Sequence, residues 1–350
     1  MSILLIRSIF INSNLEESID MKNYIFTLLL SVISIFSVSG QPGIKQTGIK
    51  TIKLNEKIGD FSGIVYDICI ADSGKTLVIP ESNQICFYDI KSKLLTKRMS
   101  IGHSKPILAL DLSKDEKLLA SGGLDGLVVI QNIRTNEILQ KLDYHHGVIT
   151  TLNLSPDSKL LATGSSDKTV AIYDLTTGKI AFKFSDFTSD ITKVKFSPDG
   201  QILAIASLDQ QIRLYESRSG QLIAGLDGHK NSVRDLCFNV EGNRLFSCGD
   251  DSRLIVWDIR NRSQIKKERV ENFGSDWLLT VEVKSDAYVV AGLDSKISVI
   301  TNFGTYRGKI GVPINKILFI PNIEDVLKLV VATRGKGVYL MDTMQFELKQ

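Results

Sequence analysis

The feature that most limits how this sequence can fold is a repeat with a period near 42 residues. A polar turn residue recurs between two short apolar runs, at Asn83, Asp125, Asp167, Asp209, Asp251 and Asp294. The intervals are 42, 42, 42, 42 and 43 residues, and one further step of 42 reaches Lys336. A period of this length indicates one supersecondary unit per repeat, packed against its neighbours in a stack or a ring.

The fourth repeat shows the internal pattern most clearly. Ile191–Phe196 predicts a first strand, and Ser197–Gly200 has the proline and glycine positions of a type I turn. Ile202–Ala206 is continuously apolar, as in a strand covered on both faces, whereas Gln211–Tyr215 alternates. Gln221–Ile223 then begins a fourth strand. Four short strands without helical periodicity predict an all-β fold, a seven-bladed β-propeller of four-stranded antiparallel blades.

Seven blades account for residues 50–345. Their first strands are predicted to start near Val65, Ile107, Val148, Ile191, Val233, Leu278 and Ile314. The last blade must be completed, because an open ring would leave an unpaired strand edge. Two segments alternate suitably for this strand, residues 51–56 and residues 344–350, and we expect the N-terminal one to supply it.

Several repeats resemble the WD-repeat family. In the fifth, Gly228-His229 is followed by Ser247, Asp251 and Trp257-Asp258, which matches the family pattern over one whole unit. The third repeat is similar in His145, Thr163, Asp167 and Tyr173-Asp174. The second has Gly102-His103, Ser121 and Asp125, but Gln131-Asn132 replaces the Trp-Asp pair. The first and seventh repeats are the most degenerate.

The resemblance implies a structural role for residues that otherwise look catalytic. His229, Ser247 and Asp251 are the residue types of a hydrolytic triad. In WD-repeat proteins, however, such residues form a buried hydrogen-bond relay that ties the loop before the first strand to the second and third strands. The relay positions here are His103, Ser121, Asp125, His145, Thr163, Asp167, Tyr173, His229, Ser247, Asp251 and Trp257. We therefore expect no catalytic residue and no enzyme.

The N-terminal region indicates export. Residues 21–40 combine a positive start at Lys22, an apolar run and the small-residue cleavage pattern Val38-Ser39-Gly40, which is the layout of a signal peptide. An uncleaved anchor is the alternative, although the run is short for a membrane span. Residues 1–20 carry acidic residues just before this segment, and we interpret them as a non-native extension or a misread start.

Composition excludes several other classes. The net charge is only +3 without a basic stripe, so no nucleic-acid partner is expected. Cys69, Cys86, Cys237 and Cys248 lack the paired spacing of a zinc site, and we expect buried thiols. If Phe238 lies opposite Leu245, Cys248 faces Asp235 and no disulfide forms. His145-His146 point to opposite faces of a strand, so neither a metal nor a cofactor is predicted.

In WD-repeat proteins the loops before the first strands, with the turns between the second and third strands, generally form the partner-binding face. Leucine is unusual in turns, so leucines just before the turn aspartates indicate either an interaction patch or a cap over the central channel. The predicted partner-binding residues on this face are Tyr66, Leu108, Leu124, Leu208, Arg234, Trp277 and Leu293.

These observations favour an exported scaffold or adaptor, a monomeric propeller without a stable membrane span, that holds a protein or peptide on one face. A first alternative is an exported propeller hydrolase or lyase, lactonase-like, with a metal in the channel. Such an enzyme would place acidic residues, Asn or His at channel-facing loop positions, which here are mainly Leu, Ile, Pro and Trp. A second alternative is a cytoplasmic WD-repeat regulator.

Overall fold

The computed structural model describes residues 50–51, 56–59, 61, 63–274, 276–285, 287–301, 304–321 and 328–342. Within these ranges the chain forms twenty-nine β-strands and one short 3-10 turn at Asp72–Gly74. The predicted extension at 1–20, the predicted signal peptide at 21–40 and the closing segment proposed at 344–350 lie outside the described residues. No helix among the described residues is long and apolar enough to cross a membrane.

The strands are arranged in seven antiparallel blades, which confirms the predicted fold class. Each blade has its first strand at the channel and its fourth at the periphery. Blade 1 contains β3 (Cys69–Ala71), β4 (Thr76–Glu81), β5 (Gln84–Asp89) and β6 (Leu95–Ser100). Blade 2 contains β7 (Ile107–Leu112), β8 (Leu118–Gly123), β9 (Val128–Asn132) and β10 (Ile138–Leu142). Blade 3 contains β11 (Ile149–Leu154), β12 (Leu160–Ser165), β13 (Val170–Asp174) and β14 (Lys179–Phe184).

The remaining blades repeat this order. Blade 4 contains β15 (Ile191–Phe196), β16 (Ile202–Ser207), β17 (Ile212–Glu216) and β18 (Leu222–Leu226). Blade 5 contains β19 (Val233–Phe238), β20 (Arg244–Gly249), β21 (Arg253–Asp258) and β22 (Lys266–Asn272). Blade 6 contains β23 (Leu278–Lys284), β24 (Ala287–Gly292), β25 (Lys296–Thr301) and β26 (Gly304–Lys309). Blade 7 contains β27 (Ile314–Phe319), β28 (Lys328–Thr333) and β29 (Gly337–Asp342).

The strand that completes blade 7 comes from the N-terminal side of the propeller. This strand, β2 (Glu56–Ile58), pairs antiparallel with β29. It overlaps the predicted segment 51–56 only at Glu56, and residues 52–55 lie outside the described residues. The two-residue strand β1 (Lys50–Thr51) pairs in parallel with β26 of blade 6. The N-terminal segment thus adds strands to two neighbouring blades.

The first strand of blade 1 begins later than the sequence predicts. Regular pairing starts at Cys69, not near Val65, whereas the other first strands start within one residue of prediction. Asp67 lies just before this strand, and its carboxylate accepts the backbone N–H of Ile68 at 3.1 Å and that of Leu110 at 3.1 Å. Asp67 therefore links blade 1 to blade 2 just before the ladder begins.

The core consists of apolar layers between neighbouring blades. One such layer joins Ala204 and Leu214 of blade 4 to Leu236, Leu245 and Trp257 of blade 5. The layer that closes the ring joins blade 7 to blade 1, and Asn315 Nδ2 donates to the carbonyl of Val65 at 3.1 Å across the same junction. Because each blade buries both faces against neighbours, its middle strands are apolar on both faces.

The cysteine predictions are confirmed. Phe238 pairs with Leu245 and Cys248 pairs with Asp235, which is the register expected from the sequence. All four thiols are free and buried. Burial raises the pKa of the Cys69 and Cys248 thiols well above its usual range, so both remain protonated at neutral pH.

Candidate interaction face

The loops before the first strands and the turns between the second and third strands lie at the same end of every blade, and we call this the upper face. One backbone hydrogen bond recurs there in six blades, between the amide of the turn residue and a carbonyl of the preceding loop. Its lengths lie between 2.9 and 3.1 Å. The six turn residues that donate are Leu124, Ser166, Leu208, Asp250, Leu293 and Arg334. The upper face therefore has a repeated backbone frame whose side chains vary from blade to blade.

The relay in blade 5 is complete. His229 Nδ1 lies 3.0 Å from Asp251 Oδ1, and Nε2 lies 2.8 Å from Ser247 Oγ. Trp257 donates its indole N–H to the same Ser247 Oγ at 2.9 Å. A neutral imidazole satisfies every member, because Nδ1–H donates to the aspartate and Nε2 accepts the serine proton. Asp251 also accepts the backbone N–H of Lys230 at 2.8 Å, which fixes the loop before the first strand.

Blades 2 and 3 contain the same arrangement without the indole. His103 lies 3.0 Å from Asp125 and 2.9 Å from Ser121. In blade 3 the corresponding pairs are His145 with Asp167 at 3.1 Å and His145 with Thr163 at 2.8 Å.

In these two blades the residue at the position of Trp257 leaves a buried polar atom without a hydrogen bond to any described residue. The Tyr173 hydroxyl is buried with no hydrogen-bond partner among the described residues, and so is Oε1 of Gln131, which replaces the tryptophan in blade 2. These two blades therefore bury a polar atom that blade 5 pairs.

Electrostatics stabilise the charged form of the turn aspartates. Burial alone would raise the pKa of Asp251, but its hydrogen bond with His229, together with two backbone amides, outweighs burial and lowers the pKa. The same balance lowers the pKa of Asp125 and Asp167. The aspartates thus remain ionised and anchor the loops at neutral pH.

In blade 4 the turn aspartate is bound by residues other than the relay histidine, which the repeat pattern does not predict. Phe187 stands where the relay histidine would be, and Ile205 replaces the relay serine. Arg213 donates to Asp209 at 3.0 Å, and its guanidinium lies 4.5 Å from the centre of the Phe187 ring. Tyr215 donates to Asp186 at 2.8 Å. Because histidine and serine are replaced together, neither leaves a buried polar group unpaired.

The predicted partner-binding residues occupy the upper face, but they differ in exposure. Tyr66 is 40% exposed, and Leu124, Leu208, Leu293 and Arg234 are partly buried. Leu108 and Trp277 are buried, at 7% and 8% exposure, so they do not project from the face as expected. Blades 2, 4 and 6 carry the three turn leucines at equivalent frame positions.

The burial of Trp277 has a specific cause. Arg234 forms a two-pronged ion pair with Asp250, with N–O distances of 2.7 and 2.6 Å. The guanidinium of Arg234 lies 5.1 Å from the centre of the Trp277 ring. Trp277 therefore packs under a fixed arginine, and the capping alternative describes it better than an exposed anchor does.

The central channel encloses a cavity of about 300 Å³ and is lined by charged side chains. Strand register places these residues in two rings, two residues apart on each first strand. The upper ring consists of Asp67, Ala109, Thr151, Lys193, Asp235, Thr280 and Lys316. The lower ring consists of Cys69, Asp111, Asn153, Lys195, Cys237, Glu282 and Leu318. The apolar loop positions identified in the sequence therefore lie above a channel whose first strands carry charged and polar side chains.

Several of these side chains cover the inner edges of neighbouring blades. Asp111 accepts the backbone N–H of Leu154 at 2.7 Å, and Asn153 accepts that of Phe196 at 2.8 Å. Asp235 likewise accepts the N–H of Val281 at 3.1 Å. A first strand is the innermost strand of its blade and has no strand on its channel side. The backbone amides on that side therefore need side-chain partners. This need explains acidic and amide residues in the channel without a catalytic role.

Charge balance in the channel is uneven. Asp235 lies 3.5 Å from the Lys193 amine and 3.4 Å from that of Lys316. Burial opposes ionisation of Asp235, but the two lysines outweigh it and lower its pKa. In the lower ring, burial raises the pKa of Glu282, and Lys316 and Lys195 offset this only partly. No group of three or more His, Cys, Asp or Glu among the described residues is arranged to hold a metal.

Comparison with known proteins agrees with this architecture. The family model described as the IFT122 first beta-propeller matches residues 64–342. A 97-residue stretch, 27% of this chain, is 31% identical to Periodic tryptophan protein 2 of Saccharomyces cerevisiae, of which it covers 10%. The chain thus matches about a tenth of that relative's length. Since the family model extends over all seven blades, the chain belongs to the WD-repeat β-propeller family represented by the IFT122 first beta-propeller.

Proposed function

We propose that this propeller is a non-enzymatic platform that holds a protein or peptide partner on its upper face. The observation that carries the proposal is the recurring turn-to-loop hydrogen bond. It fixes six equivalent backbone positions while their side chains range from Leu124 and Ser166 to Asp250 and Arg334. A rigid frame with variable side chains suits selective binding, because little ordering entropy is lost on association.

The relay does not favour hydrolysis. Ser247 is fully buried, and its hydroxyl contacts both His229 and Trp257, so no substrate carbonyl can approach it. A nucleophile must lie beside space for the reacting atom. In addition, three blades repeat the same set, whereas one catalytic centre would suffice.

We further propose that the platform works after export, in the cell envelope or outside the cell. The support is the sequence of residues 21–40, with its positive start, apolar run and cleavage pattern. Mass spectrometry of the native protein tests this part. A mature chain starting at Gln41 is expected, and a chain that retains Met1 or Met21 would contradict a cleaved signal peptide.

Site-specific photo-crosslinking tests the binding face. A benzophenone side chain is placed at Tyr66, which is exposed on the upper face, in the full chain produced in its native cell. The matched control carries it at Val240, which is 64% exposed in a turn at the opposite end of the blades. A discrete adduct from position 66 and none from position 240 is expected. Adducts from position 240 alone would overturn the proposed face.

A further inference from the structure

Uncompensated positive charge is concentrated on one sector of the upper face. Lys105 in the loop before blade 2, and Arg334 and Lys336 in the turn of blade 7, form no ion pair with any described residue. Carboxylates at described positions of this sector are already engaged. Asp125 is bound by His103 at 3.0 Å, and Glu81 accepts Arg98 at 2.8 Å. We call the upper face of blades 7, 1 and 2 the basic sector.

The opposite sector, in blades 4 to 6, carries the reverse balance. Its cations Arg213, Arg234 and Lys296 are all paired with aspartates. Three further carboxylates have no ion pair within the described part of the chain, namely Asp190, Asp227 and Asp276. Lys230 and Arg253 are cations of this sector that have no such pair with a described residue. The upper face therefore has a basic and an acidic side, although the net charge of the whole chain is small.

Exposed apolar side chains coincide with the basic sector. Among the described residues of the upper face, the large hydrophobic side chains classed as exposed are Ile64 and Tyr66, each 40% exposed. Arg334 lies close enough to Tyr66 for its charge to act on the phenol. Burial raises the pKa of the Tyr66 phenol, and the positive charge of Arg334 offsets part of that rise. An added Cβ at Gly63 or Gly335 would meet nothing within 4 Å, so the surface around this pair is open.

We propose that the basic sector docks an acidic segment of a partner protein, with an apolar side chain against Ile64 and Tyr66 and carboxylates against Lys105, Arg334 and Lys336. This inference rests on the proposed platform function and specifies the partner's chemistry. Cations without intramolecular partners lose no existing ion pair on binding, and complementary charge speeds association and rejects basic partners. The apolar contact supplies the anchor that commonly dominates affinity.

Peptide display tests the docking site with the full chain. Random twelve-residue peptides displayed on phage are selected against the immobilised protein, and enriched sequences are synthesised and measured by fluorescence anisotropy. We expect peptides with net charge of about −2 or lower and at least one large apolar residue. Their affinity should fall about tenfold in the Arg334→Glu/Lys336→Glu variant, about 1.4 kcal/mol. It should also fall on raising salt from 50 to 300 mM, since exposed charges are screened.

Lys230→Glu is the matched control, because it reverses an exposed cation on the acidic sector of the same face. It should change affinity less than about twofold, because Lys230 lies before blade 5, outside the basic sector, and salt screens exposed charges. Enrichment of neutral or basic peptides, or of none, would overturn the acidic-segment inference. So would sensitivity to Lys230→Glu without sensitivity to the double variant, although the platform function would then stand. Displacement of the peptide by a twelve-nucleotide DNA at equal charge concentration would favour nucleic acid and also overturn it.

Discussion

Trp257 donates its indole N–H to Ser247 at 2.9 Å, whereas Tyr173, at the equivalent place in blade 3, has a buried hydroxyl without a hydrogen-bond partner among the described residues. The same position of one repeat is therefore satisfied in one blade and unsatisfied in another. Since the surrounding strands share a register, the difference lies in the side chains.

This contrast predicts opposite effects of removing each polar group. Trp257→Phe loses a buried hydrogen bond and part of a ring, and should lower the free energy of unfolding by about 2 kcal/mol. Tyr173→Phe removes a hydroxyl that is buried unpaired, and should be neutral or stabilising by up to about 1 kcal/mol. Urea denaturation of both variants measures the two values. Equal destabilisation would show that Tyr173 is hydrogen-bonded in solution.

Gly228 is required by its closeness to Trp257. An added Cβ would lie 2.8 Å from Cη2 of Trp257 and 3.2 Å from Ile255 Cδ1. Gly228→Ala should therefore destabilise the chain by about 1–3 kcal/mol through overpacking. The matched control is Gly225→Ala, because a Cβ there meets nothing within 4 Å and should not lower the melting temperature. Equal losses from both variants would contradict a steric cause.

Blade 4 offers a test of why relay residues are replaced together. Ile205→Ser buries a hydroxyl opposite Phe187 and should cost about 3 kcal/mol. Adding Phe187→His supplies a hydrogen-bond partner for that serine and should recover at least about 1 kcal/mol, seen as coupling in a double-mutant cycle. Purely additive losses would mean that the pair is not coupled.

Neutralising Glu282 in the lower ring of the channel should stabilise the protein by an amount that depends on pH. The folded-state pKa of Glu282 is raised, mainly by burial, so ionising it costs more in the folded chain than in the unfolded one. The stabilisation that protonated Glu282 contributes is complete below the unfolded-state pKa of about 4.3, and it is lost as pH rises through the folded-state pKa. Glu282→Gln should therefore raise the melting temperature more at pH 7 than at pH 4.

Asp251→Asn provides the comparison of opposite sign. The folded-state pKa of Asp251 is lowered, so its stabilisation is present above the unfolded pKa of about 3.9 and is lost as pH falls through the folded pKa. Asp251→Asn should lower the free energy of unfolding by a few kcal/mol at pH 7 and by less at pH 3. Identical pH profiles of the two variants would contradict these assignments.

Much of the fold follows from local sequence, because a repeated unit repeats its turns. The 42-residue spacing places the turn aspartates, and the pairing of Phe238 with Leu245 places Cys248 opposite Asp235. What the spacing cannot specify is how side chains meet between blades. Arg213 reaches Asp209 from the next strand, and Arg234 covers Trp277 from a different blade. These contacts depend on three-dimensional neighbours that no periodicity encodes.

The channel shows the same limit for the candidate site. The sequence pattern that predicted the site lies in the loops above the first strands, where Leu, Pro and Trp are common. Asp111, Lys195 and Glu282 lie below these loops and were not predicted as site residues. A signal was present, since Asp111, Asn153, Lys195 and Cys237 recur at the repeat interval. Polar residues at alternate positions of an inner strand indicate an edge whose amides need partners.

The central claim, that the upper face binds the partner, is tested most directly by measuring affinity and melting temperature on the same variants. Leu124→Asp alters a partly buried turn residue of the upper face, and Val240→Asp alters an exposed residue at the opposite end. With the cross-linked partner as ligand, Leu124→Asp should weaken binding about tenfold or more with the melting temperature nearly unchanged, and Val240→Asp should alter neither. A lower melting temperature with unchanged affinity for Leu124→Asp, or weaker binding from Val240→Asp, would contradict the account.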